Sequence, residues 1–104
     1  MNCFLNSNKA TKDWEFLVVL DTVGTITIPD ISLYSELLFV FTFGSDQIIE
    51  SVVITRGYFC ANTNRQVIMH DSRNSQAGIV QYLSNTSVSF STSHANWTIR
   101  LYGR

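Results

Sequence analysis

The sequence LLFVFTF, at positions 37–43, carries aromatic and β-branched side chains at a density typical of a buried β-strand. Successive side chains of a strand point to opposite faces, so Phe39, Phe41 and Phe43 share one face. We predict that this face forms the centre of the hydrophobic core.

The rest of the chain surrounds this strand with further short runs of β-forming residues. Turn-forming residues at 44–46 lead into the next run, which predicts a hairpin. Pro29 ends another run because proline has no N–H to donate to a sheet. The predicted strands, in chain order, are 14–20, 25–28, 37–43, 48–55, 66–71, 78–83, 87–91 and 97–102.

Helix is predicted at one place only, and there as a single turn. The segment 29–32 can open it, with Asp30 or Ser32 capping free N–H groups and residues 34–37 continuing it. No helix longer than about two turns is expected.

Eight short strands separated by Gly, Asn, Ser and Asp turns indicate an all-β fold, either a two-layer sandwich or a closed barrel. We favour an antiparallel two-layer β-sandwich of the jelly-roll type. A chain of 104 residues has room for one core. Residues 14–104 are therefore predicted to form a single domain, preceded by a flexible lead-in or connector at 1–13.

The composition disfavours several partners. The net charge is −1 and the seven Lys and Arg residues are scattered, so the sequence predicts no nucleic-acid binding. It holds no run of eighteen apolar residues and no signal-peptide pattern at its start, so we expect synthesis in the cytosol without membrane insertion. Only 14% of the residues are charged, and Ser, Thr and Asn supply most of the polar surface.

The sequence contains little evidence for a catalytic or metal site. His70, Asp71 and Ser72 include the residue types of a catalytic triad, but consecutive strand residues point to opposite faces and cannot form one together. Cys3 and Cys60 lie far apart without a second ligand pair, so no zinc site is indicated. We predict a protein that is not an enzyme and has no metal or other cofactor.

The composition of two polar loops gives the one positive indication of a binding site. They flank the strand predicted at 66–71 and offer amide, hydroxyl and guanidinium groups that can bind sugar hydroxyls, with an aromatic ring nearby to stack on a sugar. Ordinary polar turns are the alternative. The candidate ligand-binding residues are Tyr58, Asn62, Asn64, Arg65, Arg73 and Asn74.

Two segments carry a resemblance to a known group of proteins. The run TITIPDISLYSELLFV at 25–40 and the ending WTIRLYGR at 97–104 resemble small β domains of phage and prophage tail fibre or baseplate proteins. The resemblance implies a non-enzymatic virion module that attaches to a host-surface glycan and contacts other virion proteins. It also implies a homotrimer.

An excess of apolar residues supports an oligomer independently of the resemblance. The first and third predicted strands are apolar on both faces, and a two-layer sandwich covers only the inner one. Leu17 and Val19, or Leu38 and Val40, are the predicted interface residues. A monomeric sandwich that buries these side chains between its sheets is the alternative.

Two other functions remain open at this point. One is a purely structural virion component, such as a head decoration or connector protein. The other is a carbohydrate-binding module detached from an enzyme, which predicts an aromatic platform on one sheet face. Tyr102 and Tyr82 are the outward candidates for such a platform.

Overall fold

The computed structural model describes residues 13–44 and 47–104 and confirms all eight predicted strands, with ends shifted by at most two residues. The strands occupy more than half of the chain. Most of the predicted lead-in, residues 1–12, lies outside the described part. The strands are β1 Glu15–Leu20, β2 Gly24–Thr27, β3 Glu36–Phe43, β4 Gln47–Thr55, β5 Gln66–Asp71, β6 Gln76–Ser84, β7 Ser87–Thr92 and β8 Trp97–Gly103.

The strands form two antiparallel four-stranded sheets, so the predicted two-layer β-sandwich is confirmed. The first sheet has the order β1-β8-β3-β4, and the second has the order β2-β7-β6-β5. β1 pairs with β8 and β2 pairs with β7, so each of the first two strands lies beside one of the last two. This pairing places the first and the last strand in the same sheet.

The core lies between the sheets and is centred on β3, as the sequence predicts. Phe39 and Phe41 are completely buried. Phe43 is half-buried and packs on Trp97, with ring centroids 4.5 Å apart. The inner face of β3 therefore supplies aromatic packing from Phe39 to Phe43.

A 3-10 turn at Ile31–Leu33 takes the place of the predicted helical turn. Asp30 caps it, since its side chain accepts the Ser32 N–H at 2.9 Å. The predicted continuation through residues 34–37 is wrong. Tyr34 is extended, and the next two N–H groups, of Ser35 and Glu36, donate to the Arg104 carbonyl. Sheet hydrogen bonds replace helical ones there.

A second short helix, α1 at Arg56–Phe59, was not predicted from the sequence. It connects β4 to β5 and buries Phe59 at one end of the core. The Phe59 ring makes edge contacts with Phe39 at 5.3 Å and with Tyr82 at 5.5 Å. One turn of helix thus closes the space between the sheets.

β1 departs from the simple alternation of a regular strand because it contains an irregularity. Phe16 pairs with Tyr102 and Val18 with Leu101, which leaves Leu17 without a partner in the register. Leu17 packs against the core, while Phe16 lies on the outer face of the sheet and is 51% exposed. Because of this extra residue, the side chains of β1 before Leu17 point to the opposite face from the one that a regular strand would give them.

No helix in residues 13–44 and 47–104 is long and apolar enough to cross a membrane.

Candidate functional site

The predicted ligand-binding residues divide between opposite ends of the sandwich. Tyr58, Asn62, Asn64 and Arg65 lie together at the end closed by α1. Arg73 and Asn74 lie beyond the other end of β5, in the turn that leads to β6. The structure therefore offers two separate clusters rather than one site.

The first cluster is organised by Tyr58 and Arg65. The Arg65 guanidinium carbon lies 4.0 Å from the centre of the Tyr58 ring, a cation–π contact. Arg65 Nη1 also donates to the Tyr58 carbonyl at 3.2 Å. The tyrosine remains 63% exposed although one face of its ring is covered. The ring is held in place and still accessible to a ligand.

Two asparagines shape the loop beside this ring. Asn62 Oδ1 accepts the Asn64 N–H at 2.8 Å, and the Asn62 carbonyl accepts the Arg65 N–H at 2.9 Å. The Arg65 carbonyl accepts the Tyr82 N–H at 3.0 Å, which ties the loop to β6. Both asparagines are exposed. We use the name Tyr58 cluster for Tyr58, Asn62, Asn64 and Arg65.

The second cluster is built around the buried carboxylate of Asp71, which the sequence reasoning did not single out. Its Oδ2 accepts from Asn74 Nδ2 at 2.9 Å and from Trp97 Nε1 at 3.4 Å. Its Oδ1 accepts the Arg73 N–H at 3.2 Å. An Asp at the start of a polar turn is a common signal for this arrangement.

These contacts stabilise the ionised form of Asp71 and engage the side-chain amide of Asn74. The hydrogen bond from Asn74, followed by those from Trp97 and the Arg73 backbone, lowers the pKa of Asp71 against the opposing effect of burial. Asn74 thus uses its amide to fold the β5–β6 turn, and Arg73 lies beside the same carboxylate at 3.6 Å. The arrangement is that of a stabilised turn.

His70 and Asp71, which were considered as parts of a catalytic triad, do not face each other. His70 is exposed and Asp71 is buried, so the two lie on opposite faces of β5. The His70 backbone N–H donates to the Glu50 carboxylate at 3.0 Å, which links the edges of the two sheets. Within the described ranges, no three His, Cys, Asp or Glu side chains lie close enough to hold a metal ion.

Cys60 follows α1 and is half-buried. Burial raises the pKa of its thiol, and the nearby Arg56 opposes that rise. Cys3 lies outside the described residues.

Of the two tyrosines proposed for a platform, only Tyr102 faces outward. It lies on the outer face of the first sheet, in edge contact with Phe16 at 5.6 Å. Tyr82 is buried instead, because β6 turns it toward Phe59, and its hydroxyl donates to Asn85 Oδ1 at 3.0 Å. The prediction that Tyr82 faces outward is wrong.

A pocket of about 290 Å³ with mixed polar and apolar lining lies between the start of β1 and the end of β8, and sequence reasoning did not predict it. Asp13, Glu15, Tyr34 and Arg104 line it. The Tyr34 hydroxyl donates to Glu15 Oε2 at 2.8 Å, and this bond raises the tyrosine pKa. Arg104 bonds to Glu36 at 2.8 Å. These bonds tie Glu15 and Arg104 to the segment that leads into β3.

Comparison with models of known protein families, with curated proteins and with solved structures finds no match for the chain.

Proposed function

We propose that the chain is a non-enzymatic module of a bacteriophage virion, of the tail fibre or baseplate type, that attaches to a host-surface glycan as a homotrimer. Its place would be the virion, and its partners other virion proteins and the host glycan. The Tyr58 cluster carries this proposal, because it joins an exposed, immobilised ring to amide and guanidinium groups.

The chemistry of the Tyr58 cluster suits a sugar. A pyranose presents an apolar C–H face that stacks on an aromatic ring, and its hydroxyls both donate and accept hydrogen bonds. Asn62 and Asn64 offer amides that can do both, while Arg65 only donates. Since Arg65 already holds the Tyr58 ring in place, little side-chain entropy is lost on binding.

The virion assignment is supported by the two segments that resemble phage tail proteins. Both lie in structurally central positions. The segment 25–40 runs from β2 into β3, and the segment 97–104 contains β8, which pairs with both β1 and β3. A surface in which Ser, Thr and Asn outnumber charged residues fits a module exposed on a particle.

Binding of the intact chain, multimerised on beads, to an array of bacterial surface glycans tests the proposal. We expect a selective signal, and Tyr58→Ala should lower the apparent affinity about tenfold, or about 1.4 kcal/mol. Val23→Ala is the matched control, since Val23 is 61% exposed and lies in the turn after β1, at the opposite end of the domain. An array without a selective signal, or an equal loss of apparent affinity in both variants, contradicts the proposal.

A purely structural virion role is the second candidate. The apolar outer face of the first sheet favours it, because a connector or decoration protein needs a surface that is buried by its neighbours. A chain that gives no glycan signal but assembles through that face would support the structural role.

A further inference from the structure

The outer face of the first sheet carries a row of aromatic and aliphatic side chains that spans all four of its strands. Of its two central rows of cross-strand neighbours, the first is entirely apolar, and the second combines two valines with an arginine and a serine. The first row is Phe16, Tyr102, Leu38 and Val53, and the second is Val19, Arg100, Val40 and Ser51.

The outer face of the second sheet provides an internal comparison. Its row nearest the α1 end is entirely polar and uncharged, and its next row combines two isoleucines with a serine. The polar row is Gln66, Gln81, Ser89 and Thr25, and the next is Ile68, Ile79 and Ser91. The aromatic side chains thus concentrate on the outer face of the first sheet.

The outer face of the first sheet, taken as a whole, approaches a protein interface in size. Phe16 on β1 is 51% exposed and Val53 on β4 is 49% exposed, so the patch extends to both edges. Four strands about 4.8 Å apart and about eight residues long cover roughly 500 Å² in projection, and the accessible surface of their side chains is larger. A specific interface buries about 800 Å² per partner.

The same face carries one positive and one negative group that do not pair with each other. Arg100 lies in the second row, and Asp21 follows β1 on the same side, so both line one shallow pocket. The ion pairs among the described residues involve neither of them. Within residues 13–44 and 47–104, the side-chain hydrogen bond that Asp21 accepts comes from the neighbouring Thr22. An unpaired charge of each sign on one face can pair with the opposite charges of neighbouring copies.

We propose that this face is buried against other copies of the same chain, with Arg100 of one copy pairing with Asp21 of the next. The inference deepens the homotrimer of the proposed function, in which contacts between unlike patches close into a ring. It replaces Leu17 by Phe16 in the predicted interface, keeps Val19, Leu38 and Val40, and adds Tyr102 and Val53. It does not require glycan binding.

Sedimentation of the intact chain across the micromolar range tests this interface. The wild type should sediment at about 35 kDa, three times 11.8 kDa. Val40→Lys should raise the dissociation constant about 30-fold or more, because it places a charge in the centre of the face. Ser89→Lys is the control, since Ser89 is equally half-buried in the middle of the other sheet's outer face.

Charge exchange separates a true interface from a folding defect. Arg100→Asp and Asp21→Arg should each weaken association, and the double variant should restore it. Circular dichroism checks that all variants are folded. A monomeric wild type, or an oligomer that Val40→Lys leaves intact, overturns the proposal. A dimer disrupted by Val40→Lys supports the interface and contradicts only the trimer.

Discussion

Asp71 shows how one buried carboxylate organises its surroundings. It joins the end of β5 to the β5–β6 turn through Asn74 and to β8 through Trp97. The carboxylate is better stabilised in the folded chain than in water, since the folded protein lowers its pKa below the ordinary value of 3.8. Its contribution to stability should therefore depend on pH.

The direction of that dependence follows from the lowered pKa. The contribution of ionised Asp71 is fully present above the unfolded pKa and is lost as the pH falls through the folded pKa. Asp71→Asn should therefore lower the urea midpoint of unfolding at pH 7. The difference between its midpoint and that of the wild type should narrow below about pH 4. Asp13→Asn, at an exposed position, is the control. A gap that stays constant with pH would contradict the role of the charge.

At the scale of the elements, the strands were predictable and their irregularities were not. The period of two that marks β3 and β8 is a local property of the sequence, so their extents are nearly correct. The extra residue at Leu17 arises because β1 must pair with Tyr102 and Leu101 in a particular register. No local pattern contains that information.

The candidate site was likewise predictable only in those features that depend on local sequence. The polar composition of residues 62–65 indicated a possible ligand loop, and the structure places Tyr58 beside it. The cation–π contact and the helical turn that positions Tyr58 depend on tertiary packing of Phe59. Sequence reasoning considered Asp71 only as part of a triad and missed its buried role, which depends on a bond from Trp97 in a strand distant along the chain.

Gly103 provides a test of how β8 packs against the segment before β3. A Cβ built at Gly103 would lie 2.6 Å from Cγ of Tyr34, so an alanine there must displace the tyrosine ring and its bond to Glu15. Gly103→Ala should cost about 1–3 kcal/mol of unfolding free energy, as overpacking does.

Gly57→Ala is the matched control for that substitution. Gly57 lies in α1, and nothing lies within 4 Å of a Cβ built there. Because alanine favours helix over glycine, this change should be neutral or stabilise the protein by up to about 1 kcal/mol. Equal urea midpoints for the two variants would contradict the packing described for Gly103.

At the scale of the whole molecule, the sandwich separates two surfaces with different chemistry. One end, closed by α1, presents the Tyr58 cluster. The outer face of the first sheet presents an apolar surface with one unpaired charge of each sign. The proposed virion module needs both a surface for its ligand and a surface for its neighbours, and these two surfaces do not overlap in the structure.

The proposed binding of a host glycan by the Tyr58 cluster is tested most directly by an NMR titration of the ¹⁵N-labelled chain. The probe is the glycan with the highest array signal. We predict that the amide signals of residues 58–65 shift together and saturably, while those of 71–76 remain unchanged. Shifts confined to the β5–β6 turn or to the outer face of the first sheet would contradict the claim.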